Sequence, residues 1–238
     1  AYNAAGDDGN AFDAFSKAFS LNPKDQASGR NAVRAGIVAA RRSSSNSQKA
    51  SYYSGAAQVA ERLAAGAPSF DHQLLAGEAW LGAKDYGKAQ GWFDKAKAQQ
   101  PSNALVFYYL AQCKTSTGQL NAAISDLQQA LSVRPSQDVR NKIYNQGGYV
   151  YDKMKNYSKA VEWYQNAGNS SKVNEMRAKQ ENAAQNLAAD RECAEFKRRI
   201  DALKLQVSEL EKLGDLDNAK LLQEQLPTLE KDYAERCR

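Results

Sequence analysis

The sequence predicts an all-α chain, an α-solenoid of stacked helical hairpins followed by a longer antiparallel helical hairpin at its C-terminal end. Three observations predict it. Apolar residues recur at a period near 3.6, and strand-type runs of Val, Ile and Thr are almost absent. Four of the five prolines stand at 23, 68, 101 and 135, so the last three are 33 and 34 residues apart, a spacing that marks an internal repeat. From about Ser171 the pattern changes, and from Phe196 two seams run with alternating steps of 3 and 4.

The beginning reads as the second half of a hairpin. Gly6 is a turn, Ala11, Phe15 and Ala18 form one helix face, and Pro23 ends the helix. Tyr2 stands where a preceding helix would end, so the chain is expected to be a piece of a longer protein with more repeats upstream. The gap from Pro23 to Pro68 is one period plus about 11 residues. Tyr53, Ala56, Ala60 and Leu63 align with the pattern, but residues 41–48 are polar and lack apolar periodicity. They are expected to form a mobile surface loop between two helices.

Three well-formed copies follow at 70–168. The first has Gly77, Trp80 and Tyr86, then Ala89, Phe93 and Ala96. The second has its turn at Gly118 and Ala123, Leu127 and Ala130 on its second helix, each 34 residues after its counterpart. The third has Gly148, Tyr151, Tyr157, Ala160, Tyr164 and Ala167, shifted by 37. A small residue in a hairpin's first helix lets the second cross closely. A small–large–small triplet on the second helix fills the space, and a proline stops it. This pattern resembles the tetratricopeptide repeat family over about residues 1–168, most specifically over 70–168.

The remainder, 170–238, is a second region. Val173, Met176, Ala183 and Leu187 form a sparse stripe suited to a helix that caps the last repeat. Phe196, Ile200, Leu203, Val207 and Leu210 make a denser seam; after Gly214-Asp215 a second seam runs through Ala219, Leu222, Leu226, Leu229 and Tyr233. These are two heptad-like arms of a hairpin. Pro227 predicts a kink, or a break after Gln225. In a hairpin turning near 215, facing residues have numbers summing to about 430, and Cys193 and Cys237 do so. They are read as a disulfide staple, which implies an oxidising, extracytoplasmic compartment such as a periplasm; the alternatives are two small core residues and a cytoplasmic protein. Cys113 is read as a packing residue.

Little points to chemistry. The only histidine, His72, has no nearby Cys or carboxylate pattern, and a surface or capping role is expected. There is no phosphate loop, dinucleotide fingerprint or zinc spacing, and Ser43, Ser44 and Ser45 make no catalytic constellation. No enzyme activity, cofactor, metal or small-molecule substrate is therefore expected. The net charge is +5, with basic residues interleaved with acidic ones, and no run approaches the ~20 apolar residues of a membrane helix. No nucleic-acid partner or membrane span is expected; Lys197, Arg198 and Arg199 are read as a solvated helix face.

What the resemblance implies is a concave face lined by the first helix of each hairpin, holding a segment of a partner protein. Carried over by register, the groove residues are Leu74, Glu78 and Leu81, then Tyr108, Gln112 and Thr115, then Asn145, Tyr149 and Asp152. Some family members grip a partner's terminal carboxylate with Lys, Asn and Arg. Here Lys142 and Asn145 have Leu105 and Tyr108 as their counterparts one repeat earlier, which speaks against that clamp. Trp92 and Trp163 are read as packing between helices. The expected function is a non-catalytic protein-interaction scaffold, part of a larger assembly; the alternatives are self-assembly into a homo-oligomer, or a regulatory domain of a larger enzyme.

Overall fold

A computed structural model describes residues 7–237. Tyr2 and Gly6, placed above at the end of a helix and in a turn, lie outside the described residues. Among the described residues every element formed is a helix, and the chain divides into two compact units, one ending at Val173 and the other beginning at Asn174.

In the first unit the described helices run in sequence: α1 Asp8–Leu21, α2 Gln26–Arg42, α3 Asn46–Gly66, α4 Phe70–Gly82, α5 Tyr86–Gln99, α6 Ala104–Ser116, α7 Leu120–Ser132, α8 Gln137–Lys153 and α9 Tyr157–Asn166. Each packs on its neighbours in sequence, as expected of an α-solenoid. Pro23, Pro68, Pro101 and Pro135 each stand two or three residues beyond the end of α1, α3, α5 and α7, where a residue without an N–H cannot extend the helix.

The residues before each proline explain the hairpins. Phe93 and Leu127 are fully buried on α5 and α7, each flanked by buried alanines. Phe93 lies against the bare backbone of Gly77 on α4, and Tyr164 of α9 lies against Gly148 of α8, where a Cβ would come within 2.8 Å of the ring. Glycine is required there for close approach. Trp92 and Trp163 are buried as well, Trp163 between Tyr144 and Tyr151 at 5.6 and 5.8 Å. Asp126 of α7 is buried and paired with Lys114 of α6 at 2.7 Å.

One turn chemistry is used repeatedly. Lys84, Gly118 and Lys155 follow α4, α6 and α8 with φ of 63°, 80° and 56°. The next residue donates its N–H five residues back: Asp85 to Trp80, Gln119 to Lys114 and Asn156 to Tyr151, at 2.8–3.1 Å. This Schellman closure satisfies the ending helix's carbonyls. Asp85 and Asn156 then accept the N–H of Lys88 and Lys159, so the residue that closes one helix caps the next. Gly118 takes the left-handed conformation without a Cβ penalty, which Lys84 and Lys155 bear.

The expected polar loop at 41–48 is corrected. Arg41 and Arg42 complete α2, Asn46 begins α3, and Ser43, Ser44 and Ser45 alone connect them. The Ser45 hydroxyl accepts the N–H of Gln48 and so starts α3. The eleven extra residues lengthen the helices: α2 is four residues longer than α4, and α3 seven longer than α5. The polar residues occupy the exposed sides of helix ends, where the absence of an apolar period does not forbid helix.

Helix α10 spans Ser170–Leu213, nearly all of it in the second unit. It is followed by α11 Leu216–Gln223 and α12 Leu226–Arg236. The turn repeats the chemistry above, with Gly214 at φ 79° and Asp215 both closing α10 on Leu210 and capping α11. The helix breaks at Glu224 and Gln225, and Pro227 falls in the first turn of α12, where its missing N–H costs nothing. The unit's core is thin. Its buried apolar side chains are Met176, Ile200, Val207 and Ala219, with Phe196 set edge-on to Tyr233 at 6.0 Å. Cys193 and Cys237 lie at disulfide distance, their Cα atoms 5.6 Å apart. Among the described residues no helix is long and apolar enough to cross a membrane.

Candidate functional site

Helices α2, α4 and α6 touch their counterparts one hairpin on (α4, α6 and α8); among the second helices α1 touches α3, but α3, α5 and α7 make no comparable contact with α5, α7 and α9. The first helices therefore sit on the inside of the curve and the second helices on the outside. Two recesses open on this inner face.

The first, of about 680 Å³, lies between α2 and α4. Arg30, Arg34 and Arg41, with Ile37 and Val38, form its α2 side; Leu74, Leu75 and Glu78 form its α4 side. His72 also lines it and is buried, so of the surface or capping role expected from the sequence the surface alternative is corrected. Its Nδ1 is 2.7 Å from the Ala67 carbonyl, and its Nε2 is 3.3 Å from an Arg30 guanidinium nitrogen. A carbonyl can only accept and a guanidinium can only donate. Nδ1–H is thus matched to donate to Ala67 and Nε2 to accept from Arg30, and both nitrogens hold neighbours in place.

The second recess, of about 390 Å³, is lined by Glu78, Leu81, Tyr108, Tyr109 and Gln112, together with Arg41, Tyr53 and Lys142. The Tyr109 hydroxyl donates to Glu78, and its ring stacks on Phe93 at 5.1 Å. Burial, reinforced by the Glu78 charge, pushes the Tyr109 phenol far above the usual range. Burial also raises Tyr108, opposed by a hydrogen bond with Gln112. Both phenols remain protonated donors.

Of the groove residues expected from the sequence, Leu74, Glu78, Leu81, Tyr108 and Gln112 thus line the two recesses. Tyr149 is 45% exposed, with the Lys153 ammonium 5.1 Å from its ring centre. The other three have internal partners. Thr115 is buried; its hydroxyl donates to the Ala111 carbonyl at 2.6 Å and accepts from Gln146 at 3.3 Å. Asn145 donates to the Asn141 carbonyl at 2.8 Å and accepts from Asn169 at 2.7 Å. Asp152 is half-buried and engaged within the chain. The structure adds Arg30, Arg34 and Arg41. Their spacing of 4 and 7 places them on one face of a helix, a signal hidden when Arg41 is assigned to a loop.

Cys113 is buried in α6 with a free thiol, which burial pushes up to about 12; it is not a reactive thiolate. No group of three or more His, Cys, Asp or Glu able to hold a metal ion occurs among the described residues.

Residues 105–137 and 142–167 match the model of the tetratricopeptide repeat. These two segments are tetratricopeptide repeats. Solved tetratricopeptide structures share the fold. MamA superposes with a TM-score of 0.54 at 17% identity, over 77% of this chain and 95% of that one. TTC0263, a thermophilic tetratricopeptide protein of Thermus thermophilus, does so with 0.53 at 18%, over 77% and 93%. YrrB, a tetratricopeptide protein with an unusual peptide-binding site, gives 0.50 at 16%, over 70% and 79%. No curated protein matches the sequence. Tetratricopeptide arrays are scaffolds with an extended concave surface, and the fold supports a protein-interaction scaffold here.

Proposed function

We propose that the chain is a non-catalytic scaffold whose inner face binds an extended segment of a partner protein within a larger assembly. The second recess carries this reading. Tyr108, Tyr109 and Gln112 combine flat apolar area with hydrogen-bonding groups, the pairing that recognises a peptide backbone, and aromatic anchors dominate binding energy at such interfaces. Tyr108 and the exposed Tyr149 lie on successive inner helices and supply two anchors.

The test is a quantitative pull-down with the full chain and its Tyr108→Ala/Tyr149→Ala double variant. The proteins enriched by the wild type are expected to be lost, each anchor contributing about 1–2 kcal/mol. An unchanged set of captured proteins would overturn the reading.

A second reading, self-assembly, is favoured by one observation. Leu205, Leu213, Leu216 and Leu221 of the second unit are 60–82% exposed, more large apolar surface than one short hairpin ordinarily shows to water. If these leucines join copies of the chain, light scattering reports an oligomer that Leu213→Glu/Leu216→Glu dissociates. A monomeric wild type at high concentration removes this reading and leaves the groove intact.

A further inference from the structure

We propose that the first recess is an acid-selective subsite, which holds a partner segment by placing two of its carboxylates on Arg30 and Arg34. This deepens the groove reading and rests on it.

The basic residues sit on one wall. Arg30, Arg34 and Arg41 project from a single face of α2 into the recess, and among the described residues neither Arg34 nor Arg41 is in an ion pair. Arg30 is held in position by the buried His72 ring. Two acidic groups line the recess, Asp71 and Glu78, and the Glu78 carboxylate receives the Tyr109 hydroxyl; hydrogen bonds from Ser28, with the Arg30 charge adding to them, hold the Asp25 carboxyl below its usual range. The recess therefore holds three guanidiniums against two carboxylates, with Arg34 and Arg41 in no ion pair among the described residues, and guanidinium is the group best matched to carboxylate.

The opposite wall carries hydrocarbon between its two acids. Leu74 and Leu75 of α4 stand between Asp71 and Glu78 and face the α2 wall, where Ile37 and Val38 lie among the arginines. A ligand that satisfies both walls needs acid on one side and hydrocarbon on the other. Arg30 and Arg34 are separated by about 6 Å along the helix, and alternate residues of an extended strand are separated by about 6.6 Å. An extended segment alternating acidic and apolar residues matches both walls in register. A small anion would leave the leucine wall exposed, and a nucleic-acid strand would bring its phosphates but nothing for that wall.

The test uses the full chain and a fluorescein-labelled eight-residue peptide alternating Glu and Leu, read by fluorescence anisotropy. The peptide is expected to bind wild type, and added salt to weaken it. Arg30→Gln/Arg34→Gln is expected to lose affinity about tenfold or more, and Arg34→Gln, an exposed and unpaired position that does not disturb His72, to lose part of it. Lys197→Gln/Arg198→Gln, on exposed α10 positions, is expected to match wild type. An analogue alternating Gln and Leu is expected to bind far more weakly than the Glu peptide.

No binding of the Glu peptide, equal binding of the Gln analogue, or indifference to both arginine changes overturns the proposal. So does displacement by poly(U) at lower concentration than by unlabelled peptide, because the ladder would then read phosphate. The two readings fail separately: if Tyr108 and Tyr149 remain essential for partner capture while the arginines prove irrelevant, the groove stands and only its acid preference falls.

Discussion

Gly147→Val is expected to destabilise the repeat array by about 3 kcal/mol or more, lowering its melting temperature by roughly 10 °C. The reason is the Trp163 indole, which lies directly across the Gly147 Cα, so that any Cβ would enter its ring. The ring cannot retreat. It is buried between Tyr144 and Tyr151, and Tyr164 occupies the adjoining site over Gly148. Two consecutive aromatics of α9 thus rest on two consecutive glycines of α8, and relieving the overlap means separating the helices. Gly91→Ala is the control. Gly91 is exposed in the middle of α5 with open space around its Cα, so alanine there is expected to stabilise by about 0.5–1 kcal/mol. Thermal melts of both variants followed by circular dichroism check the pair; a Gly147→Val chain that melts with the wild type would sink the packing argument.

Reduction is expected to loosen the second unit while the repeats stay folded. We propose that Cys193 and Cys237 are bonded in the protein, in an oxidising compartment. The bond spans 44 residues of chain, a loop whose closure is worth up to about 4 kcal/mol by the chain-entropy argument. That is large beside a core of four buried apolar side chains and one aromatic pair. The Lys204–Glu230 bridge adds little, since both side chains are about half exposed. Hydrogen exchange is the measurement. Cys193→Ser, or the wild type with reductant, is expected to exchange fast over 190–237 and unchanged over 70–168. Alkylation of the unfolded, unreduced protein is expected to label one thiol, that of Cys113; three labelled thiols would show that no bond exists.

How much was legible depended on which physical signal each feature leaves. The hairpins at 70–168 were legible because their packing demands a small residue facing a large one at fixed spacing, as Gly77 faces Phe93 and Gly148 faces Tyr164. The prolines marked helix ends because a missing N–H acts locally. The segment at 41–48 was misread because its residues face water, and a solvent-facing helix end carries no apolar period. That error concealed Arg41, and with it the basic wall of the first recess. The groove was read by register alone, which places a residue on a face but does not say whether a neighbour has claimed its polar atoms. Leu74, Leu81, Tyr108 and Gln112 face the recesses, whereas Thr115 and Asn145 are taken up by Gln146 and Asn169. His72 is buried with its two nitrogens met by the Ala67 carbonyl just before its helix and by the Arg30 guanidinium 42 residues away, and the distant partner leaves no trace at adjacent positions.

The shared turn has a kinetic consequence. Asp85 and Asn156 each finish one helix and start the next within a few residues, so the contacts that define a hairpin are made between close neighbours in the chain. Low contact order of this kind belongs to chains that fold in microseconds to milliseconds, and a linear stack can nucleate at any hairpin and grow outward. Such a stack also comes apart by stages, from an end or from its weakest joint. Limited proteolysis of the array is therefore expected to produce a ladder of fragments that end at these turns.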